Sequence, residues 1–366
     1  MKIAIITTVN HNVGDDFVRE GIKYLIRKAY PNKDIEFQNI HKHSPITTKY
    51  GFENFRYLRL SSRLDKVLPK KWFKDRLLEA DLVIQSGAPV YWCHSNTHCY
   101  NNEWYKPLIK DRWLQYNKVP LLNLAAGTCQ TYFSDGLDFC DKCNSYIKEF
   151  YNNSTLTTVR DKLAQIVFNR IGLDVSVIPC SSIFAIDEHS IHNQGEEYVV
   201  VNYMTGGGHY TFGQNINFDK YQQEFTKFYF ELKEKENVII SCHNQKEVDE
   251  ALEFDSKANI FYQKDDYISY IKFYSKAKFG IMNRVHGAFM MASFGKPSII
   301  IGNDSRARMG KEIGLKSYFV NEINYNILIQ EYKFLNNGAN NYKEKINNIK
   351  DKAFNDYLEL LKTINL

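Results

Sequence analysis

The chain has 366 residues, 44% apolar and 24% charged, with 47 basic side chains against 42 acidic ones for a net charge of +5. That length holds two ordinary hydrophobic cores, and the balance excludes general disorder, a fibrous repeat and a polytopic membrane protein. The mild charge is spread without a basic run, which argues against nucleic acid as the main partner and leaves room for a small anion in a local basic pocket.

The first run, Lys2-Ile-Ala-Ile-Ile-Thr-Thr-Val9, is β-branched and predicts a strand, and Thr7, Thr8, Asn10 and His11 end its apolar stretch too soon for an export signal. A polar loop through Asn12-Val-Gly-Asp-Asp16 leads to helical spacing at Phe17, Gly21, Tyr24, Leu25 and Ala29. Further strands are expected at 82–85, 120–125, 156–159 and 175–179, with helices at 64–79, 105–116, 137–151 and 162–171. Strands alternating with helices predict a parallel, doubly wound α/β sheet. The polar stretch 187–197 reads as a linker, after which strands at 198–202, 238–241, 260–262, 277–282 and 297–302 alternate with helices at 221–235, 246–254, 267–275, 285–294 and 306–313. The expected organisation is two Rossmann-like domains, 1–190 and 196–335, facing a cleft, followed by a helical tail at 336–366. The most apolar stretch, 280–302, is interrupted by Arg284, His286 and Lys296, so no spanning helix is expected and a cytoplasmic location is.

Polar residues take their meaning from the strand ends. Strand 156–159 runs into Arg160 and Asp161, strand 277–282 into Asn283-Arg-Val-His286, and strand 297–302 into Asn303-Asp-Ser-Arg306 with Arg308 close behind. Helix N-termini point to the same rim and favour anions, and arginine offers a planar fork that matches carboxylate and phosphate. An arginine at a strand end is more often a surface ion pair than a ligand clamp, but Arg284 and His286 together in an otherwise apolar stretch make the two readings even. His286 suits a bond with a carbonyl as well as general acid–base work. The loops at Asn12–Asp16, Ser86–Pro89 and 125–128 allow close backbone approach. Gly206-Gly-Gly-His209 is flexible enough to cover a phosphate but lacks the Lys-Ser/Thr of a P-loop.

The cysteines are the odd feature. Cys140-Asp-Lys-Cys143 has metal-ligand spacing, Cys93 and Cys99 enclose two histidines, and Cys129 follows a strand. In a reducing compartment, scattered thiols are favoured over a metal site, because a helical C-x2-C is a poor geometry for closing one. No metal and no cofactor is expected.

These pieces together resemble the polysaccharide pyruvyl transferase family along most of the chain. They come in order as Asn12-Val-Gly-Asp15, the strand and glycine around Leu82–Gly87, Thr158-Val-Arg160-Asp161 with 173–179, Asn283-Arg-Val-His286 with Ala288, Gly295-Lys-Pro297, and the turn Asn303–Arg308. The resemblance implies a two-domain glycosyltransferase-B-like fold and transfer of pyruvate from phosphoenolpyruvate to two sugar hydroxyls, forming a cyclic ketal and releasing phosphate. By the same resemblance, Arg160, Arg284 and His286 bind phosphoenolpyruvate and His286 is the catalytic group. Asp15 or Asp16 is a candidate base, and Asn12, Gly14, Arg306 and Arg308 complete the substrate contacts. The acceptor is a sugar or oligosaccharide, and a lipid-linked one would bring the enzyme to the inner membrane face. The chain departs from the family at Gln85-Ser-Gly-Ala-Pro89, where relatives carry consecutive glycines, and at Arg306 and Arg308, where a lysine is common. Two other functions fit the same fold: a nucleotide-sugar-dependent glycosyltransferase, and a non-catalytic sugar- or anion-binding relative.

Overall fold

The computed structural model describes residues 1–52, 74–87, 89–91, 93, 105–110, 119–208 and 210–366. Parts of the expected helices at 64–79 and 105–116, Ala88, His209 and the segment between Cys93 and Cys99 lie outside them. The chain divides into two compact units. The first comprises Met1–Thr128, Gly136–Ser181 and Asn355–Leu366, and the second Cys129–Asp135 and Ser182–Phe354.

In the first unit the elements are β1 (Lys2–Thr7), α1 (Val13–Ala29), β2 (Glu36–His41), α2 (Pro45–Lys49), β3 (Leu82–Ser86), β4 (Pro89–Tyr91), β5 (Leu121–Thr128), α3 (Asp141–Asn152), β6 (Leu156–Val159), α4 (Lys162–Arg170) and β7 (Ser176–Val177). The strands form a parallel sheet in the order β2-β1-β3-β5-β6-β7, and β4 pairs with the far end of β5. Strands β3 and β5 are buried along their whole length, which is what sequences as apolar as LVIQS and LLNLAAGT require when both faces are covered. Polar side chains mark the helix starts: Asn12 caps α1 by accepting the Gly14 N–H at 3.1 Å, and Asp161 caps α4 by accepting the Ala164 N–H at 2.7 Å.

The second unit begins with the short α5 (Ala185–Glu188) and continues as β8 (Tyr198–Asn202), α6 (Phe218–Lys235), β9 (Val238–Ser241), α7 (Gln245–Phe254), β10 (Ile260–Phe261), α8 (Tyr267–Ser275), β11 (Ala277–Met282), α9 (Val285–Ser293), β12 (Ser298–Gly302), β13 (Lys316–Phe319) and α10 (Tyr325–Lys362). Its parallel sheet runs β10-β9-β8-β11-β12-β13, the strand order of a dinucleotide-binding Rossmann sheet. Two α/β units with parallel sheets are the fold class the sequence predicts. The segment expected as an α-helix at 306–313 is a 3₁₀ helix, Ser305–Ile313, closed by Gly314 at φ +74°. The expectations contain no β2, β4 or β13. Among the described residues no helix is long and apolar enough to cross a membrane.

Candidate functional site

In the second sheet the strand order reverses between β8 and β11, the place where open α/β sheets bind ligands. Asparagines at both strand ends lock the local backbone. Asn202, ending β8, accepts the Arg284 N–H at 2.7 Å and donates to the Ser241 carbonyl at 2.7 Å. Asn283, just past β11, accepts the Met204 N–H at 2.8 Å and donates to the Ile301 carbonyl at 3.0 Å.

Arg284 sits at the N-cap of α9 and is 9% exposed, its guanidinium paired with the Glu247 carboxylate. Glu247, 2% exposed in the first turn of α7, also accepts the His243 N–H at 2.9 Å and an Asn244 side-chain N–H at 2.8 Å. Burial pulls the Glu247 pKa up, but the Arg284 charge and the surrounding donors outweigh it and leave the carboxyl below the usual range. The buried ion pair therefore holds the guanidinium in one place before any ligand arrives. Burial drives His243 the other way, down to about 4, so its ring is neutral at pH 7. One ring nitrogen, Nε2, lies 3.0 Å from the Tyr274 hydroxyl, which is in turn 3.0 Å from the Ser241 hydroxyl. His243 Nδ1 has no hydrogen-bond partner among the described residues.

His286 occupies the first turn of α9, half-buried, with its ring edge toward Phe289. The next residue must be small, because a Cβ on Gly287 would come within 2.4 Å of Met282 Cε and 2.9 Å of the Tyr274 hydroxyl. The structure thus brings Arg284 and His286 together at the switch point.

The two later arginines are already engaged. Arg306 makes a two-pronged pair with Asp304, at 2.9 and 2.6 Å, and Arg308 donates to the carbonyls of Tyr132 and Ser134 at 3.2 and 2.7 Å. Gly207 and Gly208 are explained by packing: a Cβ on Gly208 would lie 2.1 Å from Asn303 Oδ1, and one on Gly207, at φ +67°, 2.5 Å from Val320.

In the first unit, Arg160 follows β6 and is 1% exposed, with its N–H donating to the Ala126 carbonyl at 2.9 Å. Its guanidinium reaches the Cys180 sulfur at 3.7 Å. Room for it comes from Gly127, where a Cβ would meet Arg160 Nε at 2.5 Å and Asp161 Oδ2 at 2.9 Å. Asp161 ties the end of β5 to α4, accepting from the Thr128 N–H at 3.0 Å and hydroxyl at 2.8 Å, and burial raises its carboxyl pKa.

Asn12 and Gly14 open α1 at the end of β1, followed by Asp15 and Asp16, both buried. Asp15 lies 3.6 Å from the Lys42 ammonium, and Asp16 pairs with Arg19. Burial, opposed by the Arg19 charge, lifts Asp16 to about 6. Three imidazoles gather at the same strand ends, with ring centroids of His11, His41 and His43 between 5.2 and 6.3 Å apart.

Sequence reasoning missed Glu247, His243, Tyr274 and the Lys42 group. A signal existed for Glu247 alone: Asn244-Gln-Lys-Glu247 is a helix-start pattern, and Asn244 does accept the Glu247 N–H at 3.0 Å. Its pairing with an arginine 37 residues away is a tertiary fact.

Comparison with known proteins now bears on the site. The family model described as polysaccharide pyruvyl transferase matches residues 12–305. No curated protein sequence matches the chain. Among solved structures, the Neisseria meningitidis UDP-GlcNAc 2-epimerase bound to UDP-GlcNAc is similar over 100% of both chains, with a TM-score of 0.56 and 11% identity. The Methanocaldococcus jannaschii UDP-GlcNAc 2-epimerase in complex with UDP-GlcNAc and UDP covers 97% of this chain and 100% of its own, at TM-score 0.54 and 14% identity. The E. coli heptosyltransferase WaaC with ADP covers 91% and 99%, at TM-score 0.50 and 12% identity. At such identities the likeness is one of fold.

Proposed function

The chain belongs to the polysaccharide pyruvyl transferase family, and we propose that it transfers pyruvate from phosphoenolpyruvate to two hydroxyls of a sugar in a polysaccharide or its precursor. In the proposed reaction one acceptor hydroxyl attacks the enol carbon while a general acid protonates the methylene carbon to a methyl group. The second hydroxyl then attacks the same carbon, the carbon–oxygen bond to phosphate breaks, and its proton leaves with inorganic phosphate. One proton thus ends on carbon and one on phosphate, and no redox change occurs.

His286 is assigned the proton delivered to carbon, and Arg284 the phosphate or carboxylate of the donor. Arg160 is assigned the donor's other anionic group, Asp15 the proton of the attacking hydroxyl, and Asn12 and Gly14 the acceptor loop. Arg306 and Arg308, held by Asp304 and by carbonyls, are assigned to supporting contacts. The observation that carries the proposal is Arg284 at the N-cap and His286 in the first turn of α9, with the Arg284 guanidinium fixed by Glu247. Preorganised charge of this kind favours a leaving phosphate without reorganisation during the reaction.

Calorimetric titration with phosphoenolpyruvate tests it, with UDP-GlcNAc as the comparison. Wild type is expected to bind phosphoenolpyruvate and Arg284→Lys to lose that binding, since an ammonium keeps the charge but not the fork. Binding of UDP-GlcNAc in place of phosphoenolpyruvate would overturn the assignment in favour of glycosyl transfer.

A further inference from the structure

Three thiols that lie far apart in sequence converge in the first unit. The Sγ atoms of Cys93, Cys140 and Cys143 are all within 4.8 Å of one another, the one such group of potential metal ligands among the described residues. The expectation of scattered thiols is therefore corrected, and so is its reason. Cys140 and Cys143 do not lie along the body of a helix: Cys140 is the N-cap of α3 and Cys143 sits in its first turn. A residue at the cap and one three positions on share a side, so both sulfurs can face a single point. Cys93 is delivered from the other direction, two residues past β4, which is anchored by pairing with Gly127 and Thr128 of β5. The Cys140 N–H donates to the Cys93 sulfur at 3.4 Å, a bond that fixes the third ligand against the helix start.

We propose that Cys93, Cys140 and Cys143 form a zinc site, with the fourth position open to water. A tetrahedral zinc with bonds of about 2.3 Å to sulfur sets its sulfurs about 3.8 Å apart, so the cluster needs to contract by about 1 Å at most. Thiolates are soft donors that favour zinc over magnesium or calcium. Binding would convert three thiols to thiolates, release three protons and leave one net negative charge. The partial positive charge at the N-terminus of α3 offsets that charge. The surroundings suit a structural ion. Cys93 and Cys143 are 5% and 1% exposed and belong to one apolar cluster with Tyr91, Tyr105, Phe139 and Tyr146, which excludes water on that side. Cys140 is exposed, which gives the ion a path in from solvent. The site would clamp β4 to α3 across a separation of 47 residues and is independent of the donor chemistry.

The test is metal analysis of the whole protein purified without chelators, together with cobalt(II) titration of chelator-stripped protein. About one zinc per chain is expected, with a thiolate-to-cobalt charge-transfer band in the near ultraviolet. Both should fall at least tenfold in Cys143→Ser. Cys140→Ser is the variant secure against misfolding, because the position is exposed and serine is a favoured N-cap. It should keep wild-type circular dichroism while losing most of the zinc. Absence of zinc with no cobalt band, zinc content unchanged in both variants, or a Cys140–Cys143 disulfide in freshly purified protein would each overturn the proposal.

Discussion

The Glu247→Gln substitution isolates what the buried ion pair contributes. Gln is nearly isosteric and can still hydrogen-bond, but it withdraws the negative charge from a guanidinium that is 9% exposed. Removing one partner of a buried pair costs about 3–5 kcal/mol, because the other charge is left uncompensated. The amide's remaining hydrogen bonds put the expected loss at the lower end, about 3 kcal/mol. With a urea m-value of about 2 kcal/mol/M, the midpoint should move down by about 1.5 M. Circular dichroism is the appropriate probe, since all four tryptophans, at 72, 92, 104 and 113, fall in the sequence range of the first unit and Glu247 belongs to the second. A double variant, Glu247→Gln with Arg284→Met, removes both charges and should recover part of the loss. A midpoint shift below about 0.3 M in Glu247→Gln, or a double variant as unstable as the sum of the two single ones, would refute the reasoning.

The other predictions follow from single contacts. His286→Ala should lower turnover, read as released phosphate, by about 10²–10⁴-fold, while phosphoenolpyruvate binding in calorimetry weakens far less than it does in Arg284→Lys. Gly127→Ala forces a methyl group onto Arg160 and Asp161, so thermal melting should show clear destabilisation and titration should show weakened donor binding. His243 is held near 4 when folded against 6.5 when exposed, so the unfolded chain binds more protons between those values. Its contribution is complete above pH 6.5 and is lost as pH falls through 4, by up to about 3 kcal/mol. Stability of His243→Gln measured from pH 4 to 7 should lack that part of the acid dependence, whereas parallel curves for variant and wild type would rule it out.

Periodicity made the buried strands legible and left two of the four edge strands, β2 and β13, obscure. Strands β8, β9 and β11 were readable to the residue because VVV, VII and FGIM are apolar on both faces. Strands β2 and β13 lie at sheet edges, where sequences such as EFQNIH and KSYF carry polar side chains toward solvent. Missing β2 hid the consequences that Lys42 ends beside Asp15 and that His41 and His43 gather with His11. Strand ends also pointed to Arg160, Arg284 and His286, since a polar residue after an apolar run is visible in one dimension. What holds each of them in place was not visible. Glu247 and Gly127 act through contacts that depend on which strands become neighbours, and strand order has no local signature.

The final helix has a consequence for how the molecule is made. Helix α10 begins in the second unit, yet Asn355–Leu366 are counted with the first. There the Tyr357 hydroxyl donates to the Pro179 carbonyl at 3.1 Å, the Tyr30 hydroxyl donates to the Leu361 carbonyl at 2.6 Å, and Leu361 is fully buried. During synthesis the unit that emerges first therefore waits, with an apolar seat uncovered near Tyr30 and Pro179, until the last-translated of its three segments arrives to fill it. Its assembly is paced by translation of the other unit, and a ribosome that stalls inside α10 would leave an incomplete first unit beside a nearly finished second one.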